Sequence, residues 1–343
     1  MFEPIYQISP PLLTTIKQIT LLIHELNQRV FSDVVLAQFQ AEAEAVSTYA
    51  STSIEGNPLP LTEVKRLLKN HPEQTRQSEQ EILNYNRALV QLSQQWTEPL
   101  TQTMLLHIHQ WVMDGLLPAH QVGRMRLEPV IIHDPRTRQV VYLPPDHVDV
   151  PSLVEALLAF VQANRTVMDP VVLAGLFHKQ LVVIHPFIDG NGRTTRLATK
   201  FLLAGLGINT FNLFSFESYY NQNVSRYFQQ VGVVGNYYEW ADSLDFTPWL
   251  EYFAEGILDE LWRVEKQLAS HQATPETTLQ PYHRAILAHI DTHGFITDKT
   301  YAAITDRAKA TRTLDFNKLI EMGLIVRQGQ GRNTYYRRSS SAD

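Results

Sequence analysis

The chain has 343 residues, 44% hydrophobic and 19% charged, with a formal net charge of −6. That apolar content is ample for packed cores and excludes bulk disorder, and the acidic balance excludes general attraction to nucleic acid or membrane surfaces. With no cysteine, disulfides, thiolate metal sites and a cysteine nucleophile are excluded as well.

The opening residues, Met1-Phe2-Glu3-Pro4-Ile5-Tyr6, lack the basic and apolar segments of a signal peptide, and no apolar run approaches a membrane span. The expectation is a soluble cytoplasmic protein with no membrane partner. Helical spacing of apolar residues predicts a first helix from Ile16 to Arg29 and a second from Val34 to about Ser53, stopped by Gly56-Asn57-Pro58. A third starts near Thr62, and longer ones cover Ser78 to Gln95 and Thr101 to Leu117. The pattern changes at Pro129, where Val130-Ile131-Ile132 and Val140-Val141-Tyr142-Leu143 flank a turn-rich stretch and predict one β-hairpin. Helical spacing returns over 150–164, 170–181, 191–204, 217–230 and 249–268. A linker is expected over 270–278. Three further helices (281–293, 297–304 and 308–322) and two strands (324–327 and 333–337) then complete the chain. The fold class expected is mainly α, with a β-hairpin and a C-terminal module resembling a winged helix-turn-helix.

The run His185-Pro186-Phe187-Ile188-Asp189-Gly190-Asn191-Gly192-Arg193-Thr194-Thr195-Arg196 carries the chemistry. Gly190 and Gly192 lack a Cβ, so the backbone there can approach a ligand closely. They sit at the predicted start of a helix, where free N–H groups and the dipole bind anions. Arg193 and Arg196 are three residues apart, hence on one helix face, and suit phosphate oxygens. Asp189 can hold Mg²⁺, which needs only one or two carboxylates when phosphates supply the rest. His185 is the nearby group able to take a proton near neutrality. No G-x-x-x-x-G-K-S/T and no G-x-G-x-x-G after a strand competes with this site, and no H-E-x-x-H accompanies His107, His109 or His178.

The segment resembles the motif of the Fic (Fido) family, H-x-F-x-D/E-G-N-G-R-x-x-R, at every position. The resemblance implies a helical fold acting on Mg²⁺-ATP and transferring AMP to a Tyr, Ser or Thr hydroxyl of a protein target, the chain itself being one candidate. It implies His185 as general base, Asp189 as the Mg²⁺ ligand and Phe187 as a buried anchor. Gly190, Asn191, Gly192, Arg193, Thr194, Thr195 and Arg196 are implied as ATP-binding, with Arg193 at the β-phosphate and Arg196 at the γ-phosphate. Tyr227, with Asn236, is expected at the adenine end. The hairpin from Val130 to Leu143 corresponds to the family's flap, where an extended target segment adds as a strand.

Ser51-Thr52-Ser53-Ile54-Glu55-Gly56-Asn57 resembles the family's inhibitory motif, S/T-x-x-x-E-G/N. A physical oddity supports it: Glu55 ends a helix, where the macrodipole disfavours an anion by about 0.3–1 kcal/mol. Arg196 is the partner expected to relieve it. The domain expectation is an N-terminal helical region over 1–98 with the inhibitory helix at about 34–56, a catalytic core over 99–269, and a winged-helix module over 279–338. In that module Lys309, Arg312, Lys318, Arg327, Arg332, Arg337 and Arg338 offer a basic face for DNA, with a protein partner as the alternative. A homodimer is a further expectation. Competing functions are a nucleotide-sensing DNA-binding regulator, an enzyme that also removes AMP, and transfer of another phospho-group.

Overall fold

The structure is a computed structural model that describes residues 2–27, 33–70, 72, 74–133, 139–208, 212–269, 279–329, 331 and 334–339. The expected linker over 270–278, the tip of the flap, Arg332 and the end of the serine tail lie outside the described residues.

In chain order the elements are α1 (Pro10–Asn27), α2 (Asp33–Ile54), α3 (Leu61–Asn70), α4 (Gln77–Ser93), α5 (Gln102–Met113), β1 (Ile132–His133), β2 (Val140–Leu143), α6 (Val150–Asn164), α7 (Pro170–Ile184), α8 (Asn191–Gly205), α9 (Phe216–Gln222), α10 (Val224–Val231), β3 (Gly235–Asn236), α11 (Tyr237–Trp240), α12 (Thr247–Ala269), α13 (Pro281–His293), α14 (Asp298–Ala303), α15 (Lys309–Glu321), β4 (Ile325–Gln328) and β5 (Tyr335–Arg338). The fold is mainly helical, as expected.

Three departures from the sequence reading have physical reasons. The first helix begins at Pro10 rather than Ile16, because prolines in a first turn lack only an N–H that would be unpaired anyway. The single helix expected over 217–230 is two, α9 and α10. The break is at Asn223, whose side chain accepts the Arg226 N–H at 3.0 Å and starts the second helix. The expected hairpin is part of a three-stranded sheet in the order β1-β2-β3, with β3 parallel to β2 through Tyr142↔Gly235 and Leu143↔Asn236. A two-residue strand is too short to carry a period, so β3 had no signal in the sequence.

The chain divides into two compact units, Met1–Asn27 with Ala43–Glu265, and Gln28–Glu42 with Lys266–Asp343. This differs from the expected break at residue 98: α4 packs on α5 and α8, so the N-terminal helices join the central region in one unit. At the centre of the first unit α7 and α8 pack as a hairpin, and α8 also packs on α5. Both helices are buried along nearly their whole length. Asp169 caps α7 by accepting the N–H groups of Val171 and Val172, with Pro170 in the first turn. The hairpin turn is therefore held between two buried helices, and that turn is the motif.

In the second unit, α13, α14 and α15 precede the antiparallel pair β4-β5, in register from Ile325↔Arg338 to Gln328↔Tyr335. Ile286, Ile290, Tyr301, Phe316, Leu319 and Tyr336 form its core. Two of the basic side chains counted toward a DNA face are paired with carboxylates of the same unit. Arg312 pairs with Asp298 at 2.8 Å and Arg338 with Asp291 at 2.7 Å. Charges neutralised within the unit add little to a phosphate-binding footprint, so the expectation of DNA binding gains nothing here.

Candidate active site

The motif turn is shaped by its own backbone. His185 ends α7 in the left-handed region (φ 51°, ψ 60°), and Gly190 precedes α8 in the same region (φ 77°). Gly190 is required twice over, since a Cβ there would also overlap Met113. Asn191 closes the loop: its Oδ1 accepts the Phe187 N–H at 2.9 Å and its Nδ2 donates to the Phe187 carbonyl at 2.8 Å. Phe187 is buried, as expected of an anchor, and stacks on the His109 ring at 3.9 Å. His109 takes the Gly123 N–H on Nδ1 at 3.0 Å, so its proton sits on Nε2, 3.1 Å from the Asp189 carbonyl. Burial lowers the His109 pKa to about 4, which keeps it a neutral brace.

His185 is half-buried beside this loop. Burial pushes its imidazole down to about 4 and the Arg126 charge adds to the effect, while a hydrogen bond to the Val182 backbone and the charges of Glu55 and Asp189 oppose it. The ring is therefore neutral at pH 7 and able to accept a proton.

The polar face of α8 is matched residue by residue to α2. Lys200 Nζ donates to Ser47 Oγ at 2.6 Å; Arg196 Nε donates to Ser51 Oγ at 2.7 Å; Arg196 Nη2 donates to Glu55 Oε1 at 2.7 Å. Positions 47, 51 and 55 advance one helical turn at a time while 200, 196 and 192 retreat by the same stride, so the helices run antiparallel in register. The ladder ends with the Glu55 carboxylate against Gly192, where an added Cβ would overlap it. Glu55 thus leaves the unfavourable end of α2 for the positive end of α8. Arg196 is fully buried, and the Ser51 carbonyl (2.9 Å) and Tyr227 hydroxyl (3.5 Å) complete its partners. Burial works against its charge, but Glu55, Tyr227 and Tyr85 outweigh that and raise its pKa.

Arg193 points to a different carboxylate. Its Nη1 pairs with Glu81 of α4 and its Nη2 with Asp189 Oδ1 at 3.1 Å. The Asp189 side chain is 57% exposed. Its Oδ1 also accepts the Gly190 N–H, while Oδ2 has no hydrogen bond among the described residues. An exposed carboxylate with one oxygen available, at the rim of an anion-binding helix start, fits a Mg²⁺ ion that takes its other ligands from phosphate and water. Among the described residues no three His, Asp or Glu side chains converge on a metal site, and none of the helices is long and apolar enough to cross a membrane.

Residues 99–203, which contain this entire turn, match the Fic/DOC family. Residues 99–203 are a Fic/DOC family domain. Over 182 residues the chain is 29% identical to the protein adenylyltransferase Fic of Drosophila erecta, covering 51% of this chain and 35% of that protein. It is equally similar over 173 residues to the Nematostella vectensis protein of the same name, covering 48% and 39%. The chain thus spans little more than a third of these relatives. A crystal structure of a Fic family protein from Desulfovibrio desulfuricans G20 superposes with a TM-score of 0.65 over 99% of both chains at 22% identity. Fic-1 from C. elegans superposes at 0.59, covering 76% of this chain and 74% of that one. At such identities the likeness is one of fold.

Within the Fic domain the structure brings His185, Asp189, Gly190, Gly192, Arg193 and Arg196 to one turn, and Glu55 onto it. The remaining sequence candidates sit differently. Tyr227 is 1% exposed and stacked on Tyr220, with its hydroxyl between His178 and Arg196. It supports Arg196 from the buried side, which leaves no open ring face for adenine. Thr194 and Thr195 are buried as well, on the inner side of α8. Asn236 accepts the Tyr238 N–H at 3.1 Å and starts α11.

Sequence reasoning missed Arg126. Its guanidinium donates to the His185 carbonyl at 2.9 Å, the Glu128 carbonyl at 3.2 Å and the Pro145 carbonyl, and its N–H donates to the Pro186 carbonyl at 2.9 Å. Arg126 is buried, and burial lowers its pKa. It ties the turn carrying His185 to both ends of the β1-β2 segment. Arg126→Ala should destabilise the fold by several kcal/mol, since three carbonyls lose charged donors worth about 1.5–3 kcal/mol each at most. Thermal unfolding of the variant beside the parent checks this.

Proposed function

We propose that the chain is a protein adenylyltransferase, held inactive by its own Glu55. The observation that carries the reading is the Glu55 carboxylate at the start of α8, against Gly192 and on Arg196. A helix N-terminus with a buried arginine attracts anions, and here the anion is supplied from within the chain. In the working enzyme the triphosphate takes that place, with Arg193 and Arg196 on its outer phosphates. Asp189 would hold Mg²⁺, whose charge would offset that of the phosphates. His185, neutral at pH 7, takes the proton of a target hydroxyl as that oxygen bonds to the α-phosphorus. The bond from the α-phosphorus to the bridging oxygen of the β-phosphate breaks, and pyrophosphate leaves. The names of the curated relatives support this reaction type. The protein target presents a Tyr, Ser or Thr hydroxyl beside the β1-β2 flap.

The test uses ATP labelled separately at the α and γ positions, the Glu55→Gly chain, and its own protein plus a cell extract as acceptors. Label from the α position alone, with a mass gain of one AMP, is expected. Label from γ alone makes the chain a kinase, and label from neither position removes the enzymatic reading.

A further inference from the structure

We infer that Glu81 is a second internal carboxylate that sets nucleotide affinity, holding Arg193 as Glu55 holds Arg196. This rests on the proposed nucleotide site. Arg193 is only 7% exposed and Glu81 15%, so the pair is shielded from solvent. Glu81 lies in the second turn of α4, still near its N-terminus. It is fixed from the other side by Asn57, whose Nδ2 donates to Glu81 Oε2 at 2.7 Å and to the Ser78 carbonyl at 2.9 Å. Asn57 is itself buried, and its N–H donates to the Thr52 carbonyl at the end of α2. The segment that delivers Glu55 thus also braces Glu81, two residues later.

The charge count makes the consequence concrete. Three carboxylates (Glu55, Glu81 and Asp189) surround two guanidinium groups, Arg193 and Arg196. Removing Glu55 leaves two carboxylates on these two guanidinium groups, so the arginines assigned to phosphate still meet a polyphosphate with their charge offset. Arg193 Nε is buried without a hydrogen-bond partner, so this guanidinium keeps an unused donor even while Glu81 and Asp189 hold its other two nitrogens. Glu81 therefore limits the attraction for phosphate after the first carboxylate has gone, and its removal strengthens that attraction.

The experiment measures ADP binding by calorimetry in Mg²⁺ buffer to Glu55→Gly and to Glu55→Gly/Glu81→Gln. Glutamine keeps the size and one acceptor oxygen, which serves Arg193 or Asn57 but not both; thermal unfolding verifies that the fold is retained, and Glu81→Ala serves as the second substitution. The double variant should bind ADP about tenfold more tightly, whereas Glu55→Gly/Glu81→Asp, which keeps the charge, should bind like Glu55→Gly. An unchanged or weakened affinity with both uncharged substitutions, or an equal change with aspartate, overturns the role of Glu81. Failure of ADP and ATP to bind any variant removes the nucleotide site itself, and this inference with it.

Discussion

Glu55→Gly is expected to raise AMP transfer roughly ten- to hundredfold. The range follows from the contact being removed: a charge-assisted hydrogen bond contributes about 1.5–3 kcal/mol, and each 1.4 kcal/mol is tenfold in rate. The released Arg196 stays in position, because Ser51 holds its Nε and Nη2 independently of Glu55. Stability should move the other way. Glu55 is 24% exposed and Arg196 fully buried, so the vacated guanidinium costs about 1–3 kcal/mol, less than for a fully buried pair. Without nucleotide the variant melts at a lower temperature than the parent. Added Mg²⁺-ATP raises its melting temperature more than the parent's, since the triphosphate supplies the missing anion. Radiolabel transfer and paired thermal melts read both effects, and an unaltered transfer rate would end the case for an internal brake.

His185→Ala, made in the Glu55→Gly background, should lower transfer by about 10²–10⁴, the usual contribution of a general base. Nucleotide affinity should be nearly unchanged, because the groups assigned to phosphate lie from Gly190 onward. The fold should survive: the contact His185 makes with Arg126 uses its backbone carbonyl, which the substitution retains. The left-handed conformation (φ 51°) costs any residue with a Cβ roughly 1–2 kcal/mol, a cost histidine already bears, and His185→Asn, better suited to that conformation, is the companion variant. The pH profile is a further check. With its pKa lowered to about 4 by burial, His185 is protonated only below that value, so kcat/KM should fall as the pH drops through about 4. An inflection near 6.5 would mean that the base is an ordinary exposed histidine. Protein stability weakens over the same acid range. Between pH 6.5 and 4 the unfolded chain binds protons at His109 and His185 that the folded chain does not, so stability falls as pH falls.

Much of this was legible in the sequence because it is local. Helical spacing locates α4 to α8 within a few residues, and the turn chemistry of 185–196 places glycines at a helix start. Glu55 was also legible, as a carboxylate at the wrong end of a helix that needed a cation from elsewhere. The sequence reading put Tyr227 at adenine on the strength of the family resemblance alone. Nothing local distinguishes a tyrosine open to a ligand from one buried beneath an arginine, and the structure buries it under Arg196.

The sequence by itself determined the candidate reacting groups: a turn with glycines at a helix start and two arginines on one face, all specified by residues within one or two helical turns of each other. Tertiary structure alone decided that Arg193 meets Glu81 and that Arg126 holds the turn of the candidate base, whereas the Glu55–Arg196 pair was already expected from the inhibitory motif. Arg196 meets Glu55 across 141 positions, Arg193 meets Glu81 across 112, and Arg126 meets His185 across 59. The reason is physical. A side chain's period reveals which face of its own helix it lies on, but a charge pair forms between faces of different helices, and that register exists only once α2, α4 and α8 have packed together.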